Sequence, residues 1–200
     1  MTSSNSRGFS LLELLAVIGI TITVAGVAAM AYVPVMQQQH INEAYNMALT
    51  ALRRAHDQAQ SDMRIYVVSF TAPGTITVTQ NTTTGPLLFT SIFPSDVTMH
   101  IEPGIPTSPT VAPTTPDGFG SAAYAIDFDQ GVPPGGATVL QFNPDGTSTD
   151  ANGNINNGVV YFGPVGYLTR QRAVTLWGAT GRIRGWRLYQ NGAVFSWSQQ

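Results

Sequence analysis

Five arginines, Arg170, Arg172, Arg182, Arg184 and Arg187, fall between Gly163 and Gln200 with no Asp or Glu among them, a local excess of +5 in a chain of net charge -2. Two belong to Gly181-Arg182-Ile183-Arg184, where a strand would project both arginines to one face and Ile183 to the other. Guanidinium forks grip phosphates, and the nearby Tyr189 and three Trp could stack bases. The chemistry on offer is capture of a polyanion such as DNA by Arg182, Arg184 and Arg187. The other reading is architectural: a Gly-Arg turn in the last hairpin, with the arginines paired to acids such as Asp127, Asp129 or Asp145 or lying on solvated strands.

A second charge stands out at the opposite end. In "RGFSLLELLAVIGI" Glu13 opens a run with no Asp, Glu, Lys or Arg from Leu14 to Asn42, almost wholly apolar as far as Met36. About 20 apolar residues cross a bilayer as a helix, so a membrane segment is expected. A carboxylate at the centre of such a helix costs about 2.5 to 3.5 kcal/mol, less near its end. A secretory signal is the competing reading, with Arg7 as its basic region, residues 14–27 as its apolar region and a cut after Ala31. Glu13 gains nothing there, and the apolar run passes unbroken into an amphipathic pattern.

That pattern occupies residues 35–64, where Ile41, Tyr45, Ala48, Leu49, Leu52, Ala55, Ala59 and Met63 recur at steps of three and four against a polar face. One helix is expected from Phe9 to about Arg64, roughly 80 Å at 1.5 Å per residue, with Gly26 and Pro34 as places for a bend.

The opening motif resembles the class III leader and N-terminal helix of type IV pilins and type II secretion pseudopilins. Gly8 stands before the cut, Phe9 becomes the new N-terminus, and Glu13 is fifth in the mature chain. The resemblance implies cleavage between Gly8 and Phe9 and N-methylation of Phe9 by a prepilin peptidase. The tail before Gly8 would stay cytoplasmic and the rest lie outside the inner membrane. It also implies that Glu13 pairs with the amine of Phe9 on a neighbouring subunit, which offsets the desolvation of a lone buried charge.

Beyond Arg64 the pattern changes to short β-rich runs at 65–70, 75–79, 87–92, 97–101, 124–128, 139–142, 159–162, 173–177, 182–189 and 193–197, separated by turns such as Pro144-Asp145-Gly146 and Asn191-Gly192. The expected class is α+β, a long helix packed on an antiparallel two-sheet β-sandwich. The organisation is a leader (1–8), a transmembrane and filament-core segment (9–36), an amphipathic half (37–64) and a globular β domain (65–200). Within the last, the Pro- and Thr-rich stretch 103–121 has little to bury and is expected as a long exposed loop. "LQFNPDGTSTDANGNINNGVVYFG" followed by "RAVTLWGATGRIRGW" is similar to the ending of the GspH/FimT family of minor pseudopilins and pilins, some of which use Gly-Arg-x-Arg to capture DNA.

Other chemistry is thin. Cys is absent, which excludes disulfides and thiolate chemistry together. Asp150-Ala151-Asn152-Gly153-Asn154 begins like a calcium loop, but Ile155 and Tyr161 stand where its glycine and bidentate glutamate belong. The three histidines lack ligand spacing, and no serine has a paired base. No catalysis, metal or cofactor is expected. The expected partners are prepilin peptidase, other pilins or pseudopilins, the inner membrane and, in the DNA-capturing alternative, DNA.

Overall fold

The computed structural model describes residues 10–121, 123–128 and 137–200, without the side chains of residues 30 and 31. The leader, Gly8 and Phe9 therefore lie outside the described residues. So does Asp129.

Helix α1 spans Leu11–Asp62. Ser10 opens it: its hydroxyl accepts from the backbone N–H of Glu13 at 3.2 Å and its carbonyl from the same N–H at 3.1 Å. Ser10-x-x-Glu13 is thus a capping-box sequence, and Glu13 stands where a carboxylate complements the positive end of the helix. The helix continues through Pro34 and stops at Asp62, after which Met63 adopts a left-handed backbone with φ 53°.

The chain divides into two compact units, residues up to Gln37 and Gln38–Gln200. The first is an apolar helix long enough to cross a membrane. Leu11, Leu14, Ile18, Ile22, Val27 and Val35 are all more than 45 % exposed, so no core covers them. The hydroxyls of Thr21 and Thr23 donate to helix carbonyls three and four residues back, at 2.8 to 3.1 Å, which leaves no hydroxyl proton unsatisfied in an apolar environment.

In the second unit the rest of α1 packs on two antiparallel sheets. One, ordered β3-β2-β1-β5-β6, comprises β1 (Tyr66–Thr71), β2 (Thr75–Gln80), β3 (Leu87–Ile92), β5 (Val139–Phe142) and β6 (Ser148–Thr149). The other, ordered β10-β9-β8-β7-β4, comprises β4 (Ile126–Phe128), β7 (Gly158–Phe162), β8 (Arg172–Trp177), β9 (Arg182–Asn191) and β10 (Val194–Gln199). The α+β class and the two antiparallel sheets agree with the sequence pattern.

The buried stripe of the helix is Ile41, Ala44, Ala48, Ala51, Leu52, Ala55 and Ala59. Its alanines share one core with residues of both sheets, while Ile41 and Leu52, both fully buried, each contribute about 1.5–3 kcal/mol. Met63, expected on this stripe, is 75 % exposed because the helix has already ended. Phe70 stacks on Phe128 at 5.2 Å and Phe93 meets Phe162 at 5.2 Å, joining the two sheets in one core.

Two strand assignments change. Residues 97–101 form no strand: Thr98 bridges Gly163, while the N–H of Met99 donates to Pro73, so the segment straps one sheet to the other. Ser148 and Thr149 form the unexpected β6. The 103–121 stretch also buries more than its composition promises. Residues 109–114 are exposed, but Ile105, Pro106, Thr115, Pro116 and Gly120 are buried, and a second apolar cluster of Ile105, Val159, Tyr161, Ala173 and Leu188 forms beneath the loop, with Phe119, Trp186 and Trp197 against it.

Candidate functional site

The pleat of β9 sorts the arginines. Leu188 belongs to the cluster under the loop and Ile183 packs against the main core, so Arg182 and Arg184 share the loop side of the sheet while Arg187 shares the helix side with Ile183. The three arginines expected to act together therefore do not form one patch. Arg187 must be separated from the other two.

Arg184 is already occupied. Its Nη1 donates to Oδ1 of Asp117 at 2.6 Å, and the Asp117 side chain is only 4 % exposed. Oδ2 of Asp117 accepts from the hydroxyl of Thr175, whose oxygen accepts in turn from Nε1 of Trp186 at 3.0 Å. Both carboxylate oxygens are thus used, and Asp117 holds its position in a short 3-10 turn, Pro116–Gly118, with φ 53°. The partner found among the described residues is not one of the acids expected from the sequence but Asp117, from the loop laid over the sheet, 67 residues away in sequence. Asp145 instead accepts from the N–H and hydroxyl of Thr147, which hold its carboxyl below its ordinary value. Arg182 remains exposed, its guanidinium 5.3 Å from the centre of the Trp177 ring.

On the helix side the glycines of the motif are seats for α1. A Cβ on Gly185 would lie 1.8 Å from the hydroxyl oxygen of Tyr45, and one on Gly181 would lie 2.3 Å from the Gly146 carbonyl oxygen and 2.4 Å from Nε2 of His56. Nε2 of His56 donates to that same carbonyl at 3.2 Å, and the His56 ring meets Phe142 edge-on at 5.4 Å. The Phe142-to-Gly146 turn and the Gly181 motif, 35 residues apart in sequence, thus meet on one helical histidine. No local sequence pattern links them, although Gly with φ +62° at 181 and +85° at 146 marks both as tight places.

Arg172 and Arg187 face each other across β8 and β9 on this side. Arg172 is 1 % exposed; its Nη1 donates to the Gln171 carbonyl at 3.2 Å and its Nη2 reaches Oδ1 of Asn42 at 3.5 Å. Burial, with Arg187 adding to it, pushes its pKa down to about 10, so it stays charged at neutral pH. Burial likewise pushes the Tyr45 hydroxyl up, against the pull of Arg53 and Arg172.

Glu13 is exposed on the first turn, and its carboxylate meets no cation among the described residues. Asp150 closes a polar loop by accepting from the N–H groups of Asn152 and Asn154, both at 2.8 Å. A shallow groove of about 630 Å³ between α1 and the edge strand β3 carries Glu43 and Arg54 but no nucleophile with a base. Among the described residues no group of three His, Asp or Glu could hold a metal ion. No protein-family model, curated protein or solved structure matches the chain.

Proposed function

We propose that this chain is a minor pilin or pseudopilin, a structural subunit of a type II secretion pseudopilus or type IV pilus. One observation carries the reading. A single helix has a first part that exposes apolar side chains from Leu11 to Val35 and a later part, from Ile41 to Ala59, that is built into a β unit. An uncovered apolar segment of that length needs lipid or other helices around it, and the Gly8-Phe9-Ser10-Leu11-Leu12-Glu13 string supplies a means of moving from one to the other. Prepilin peptidase cuts after Gly8 and methylates Phe9. The segment then leaves the inner membrane for a bundle of like helices, with Glu13 meeting the Phe9 amine of a neighbour, and the β unit is displayed outside.

Mass spectrometry of the mature N-terminus tests this directly. N-methyl-Phe9 is the expected result on co-expression with a prepilin peptidase. A chain beginning at Tyr32, or an uncut one, overturns it. DNA capture, the second reading of the Gly-Arg-Ile-Arg string, rests on exposed Arg182 over Trp177, since Arg184 is held by Asp117.

A further inference from the structure

Three asparagines of this chain precede a glycine, in Asn152-Gly153, Asn157-Gly158 and Asn191-Gly192. The pair is chemically labile, because a glycine nitrogen has no side chain beside it to hinder its approach to the amide carbon of the preceding residue. The nitrogen attacks Cγ, and the new C–N bond closes a five-membered succinimide. The Cγ–Nδ2 bond breaks, and the proton given up by the attacking nitrogen leaves with Nδ2 as ammonia. Water then opens the ring at either carbonyl, leaving aspartate or isoaspartate. Local sequence offers all three sites the same chemistry, so the fold decides among them.

Asn157 is shut off. Its Oδ1 accepts from the N–H of Gly178 at 2.8 Å, while Gly158 is buried in strand β7, paired with Phe128 and Leu176. Asn152 is exposed but tied down: its N–H donates to Oδ1 of Asp150 at 2.8 Å, and the N–H of Gly153 donates to the Asp150 carbonyl at 3.2 Å. Asn191 is different. It is the last residue of β9, and Gly192-Ala193 make a two-residue turn into β10, with Gly192 at φ 61° in the first central place. The N–H at that place points away from the hairpin, and that of Gly192 donates to nothing among the described residues. Nothing lies within 4 Å of where a Gly192 Cβ would stand, and Asn191 is exposed. The nitrogen, the amide carbon and the room to bring them together all coincide at this one tip.

We propose that Asn191 is a modification site, converted by water to aspartate and isoaspartate through attack of the Gly192 nitrogen. Either product takes the net charge from -2 to -3 and brings a carboxylate into residues 163–200, which otherwise hold no Asp or Glu. Isoaspartate also adds a methylene carbon to the main chain at the mouth of the turn. Turn geometry sets the register of a hairpin, here from Val194 against Asn191 to Gln199 against Trp186. Phe195 and Trp197 of β10 pack on the apolar cluster of Ile105, Val159, Tyr161, Ala173 and Leu188, so a lengthened turn loosens the strand that covers it. The site lies wholly within the β unit and is independent of the apolar segment.

The test incubates the full-length chain, in neutral detergent, in mildly alkaline buffer made with oxygen-18 water, and reads label at each asparagine by tandem mass spectrometry of its peptides. Asn191 should gain label first. Asn152 should follow about fivefold more slowly, the effect of the one backbone hydrogen bond that Gly153 must give up, and Asn157 should stay unlabelled while the chain is folded. In urea, where the fold no longer discriminates, the three should convert at comparable rates. Asn191→Gln should remove the first signal and leave that of Asn152 as it was. The unfolding temperature of the wild type should fall during incubation, and that of Asn191→Gln should hold. An unlabelled Asn191, or conversion of Asn152 or Asn157 as fast as Asn191 in the folded chain, overturns the site. So does an order of rates that persists in urea, since neighbouring residues and not the fold would then set it. An equal fall in the Asn191→Gln variant overturns the effect on the hairpin.

Discussion

Arg184 and Asp117 form a partly buried ion pair, Nη1 to Oδ1 at 2.6 Å, that fastens the loop over the second sheet to strand β9. The pair turns half of a nominal phosphate-binding motif inward. Arg184→Ala leaves Asp117, 4 % exposed, without its cation, and should destabilise the unit by about 3 kcal/mol. Denaturant unfolding of Arg184→Ala, Asp117→Ala and the double variant measures the coupling; a value near zero would mean the pair holds nothing.

DNA binding is expected to be weak for the same reason. In a mobility-shift titration at low salt, Arg182→Gln should abolish whatever binding the full chain shows, and Arg184→Gln should act only as far as it unfolds the loop. A folded Arg184→Gln protein that loses binding as fully as Arg182→Gln would restore the two-arginine site.

Gly185→Ala brings a methyl group against the hydroxyl and ring of Tyr45. Overpacking of this kind costs about 1–3 kcal/mol. Tyr45→Ala in the same chain should recover part of that loss, read as a thermal midpoint higher than that of Gly185→Ala alone. Failure of the second substitution to help would place the strain elsewhere.

Glu13→Ala should leave cleavage after Gly8 intact and exclude the protein from filaments. Ser10→Ala is the control, because it removes the helix cap and keeps the carboxylate. Immunoblots of sheared filaments and of the membrane fraction distinguish the two. Normal incorporation of the Glu13→Ala protein would remove the pairing role.

Acid stability should carry the mark of Glu102. The Gly166 N–H and Nε2 of His100 both lie 3.0 Å from its Oε2 and hold its carboxyl below the ordinary value. A depressed folded pKa means this stabilisation is complete above the unfolded value and is lost as pH falls through the folded one. Unfolding of the wild type and of Glu102→Gln should therefore differ at neutral pH and converge in acid. A difference independent of pH would show that the carboxylate charge is not its source.

Periodicity makes most of this fold legible in the sequence. The helix stripe of Ile41, Ala48, Leu52, Ala55 and Ala59 and nine of the strands have local patterns that the tertiary structure keeps. Residues 97–101 have the composition of a strand, but their backbone groups are shared between Gly163 and Pro73 on different sheets, which no local pattern records. Ser148 and Thr149 pair as β6 without any apolar alternation. At the arginines the sequence showed the charge and concealed its neutraliser, because Asp117 sits in a Pro- and Thr-rich loop whose docking depends on contacts far along the chain. Ser10, whose hydroxyl accepts from the Glu13 N–H, was not read from the sequence as the cap of the helix.

The two glycines of Gly181-Arg182-Ile183-Arg184-Gly185 answer to His56 and Tyr45 on the helix. A string that reads as a charge motif is thus equally a shape motif, and selection for shape alone would preserve much of its spelling. In this chain the string's charge is decided from outside it, by the overlying loop that brings the Asp117 carboxylate to the second arginine.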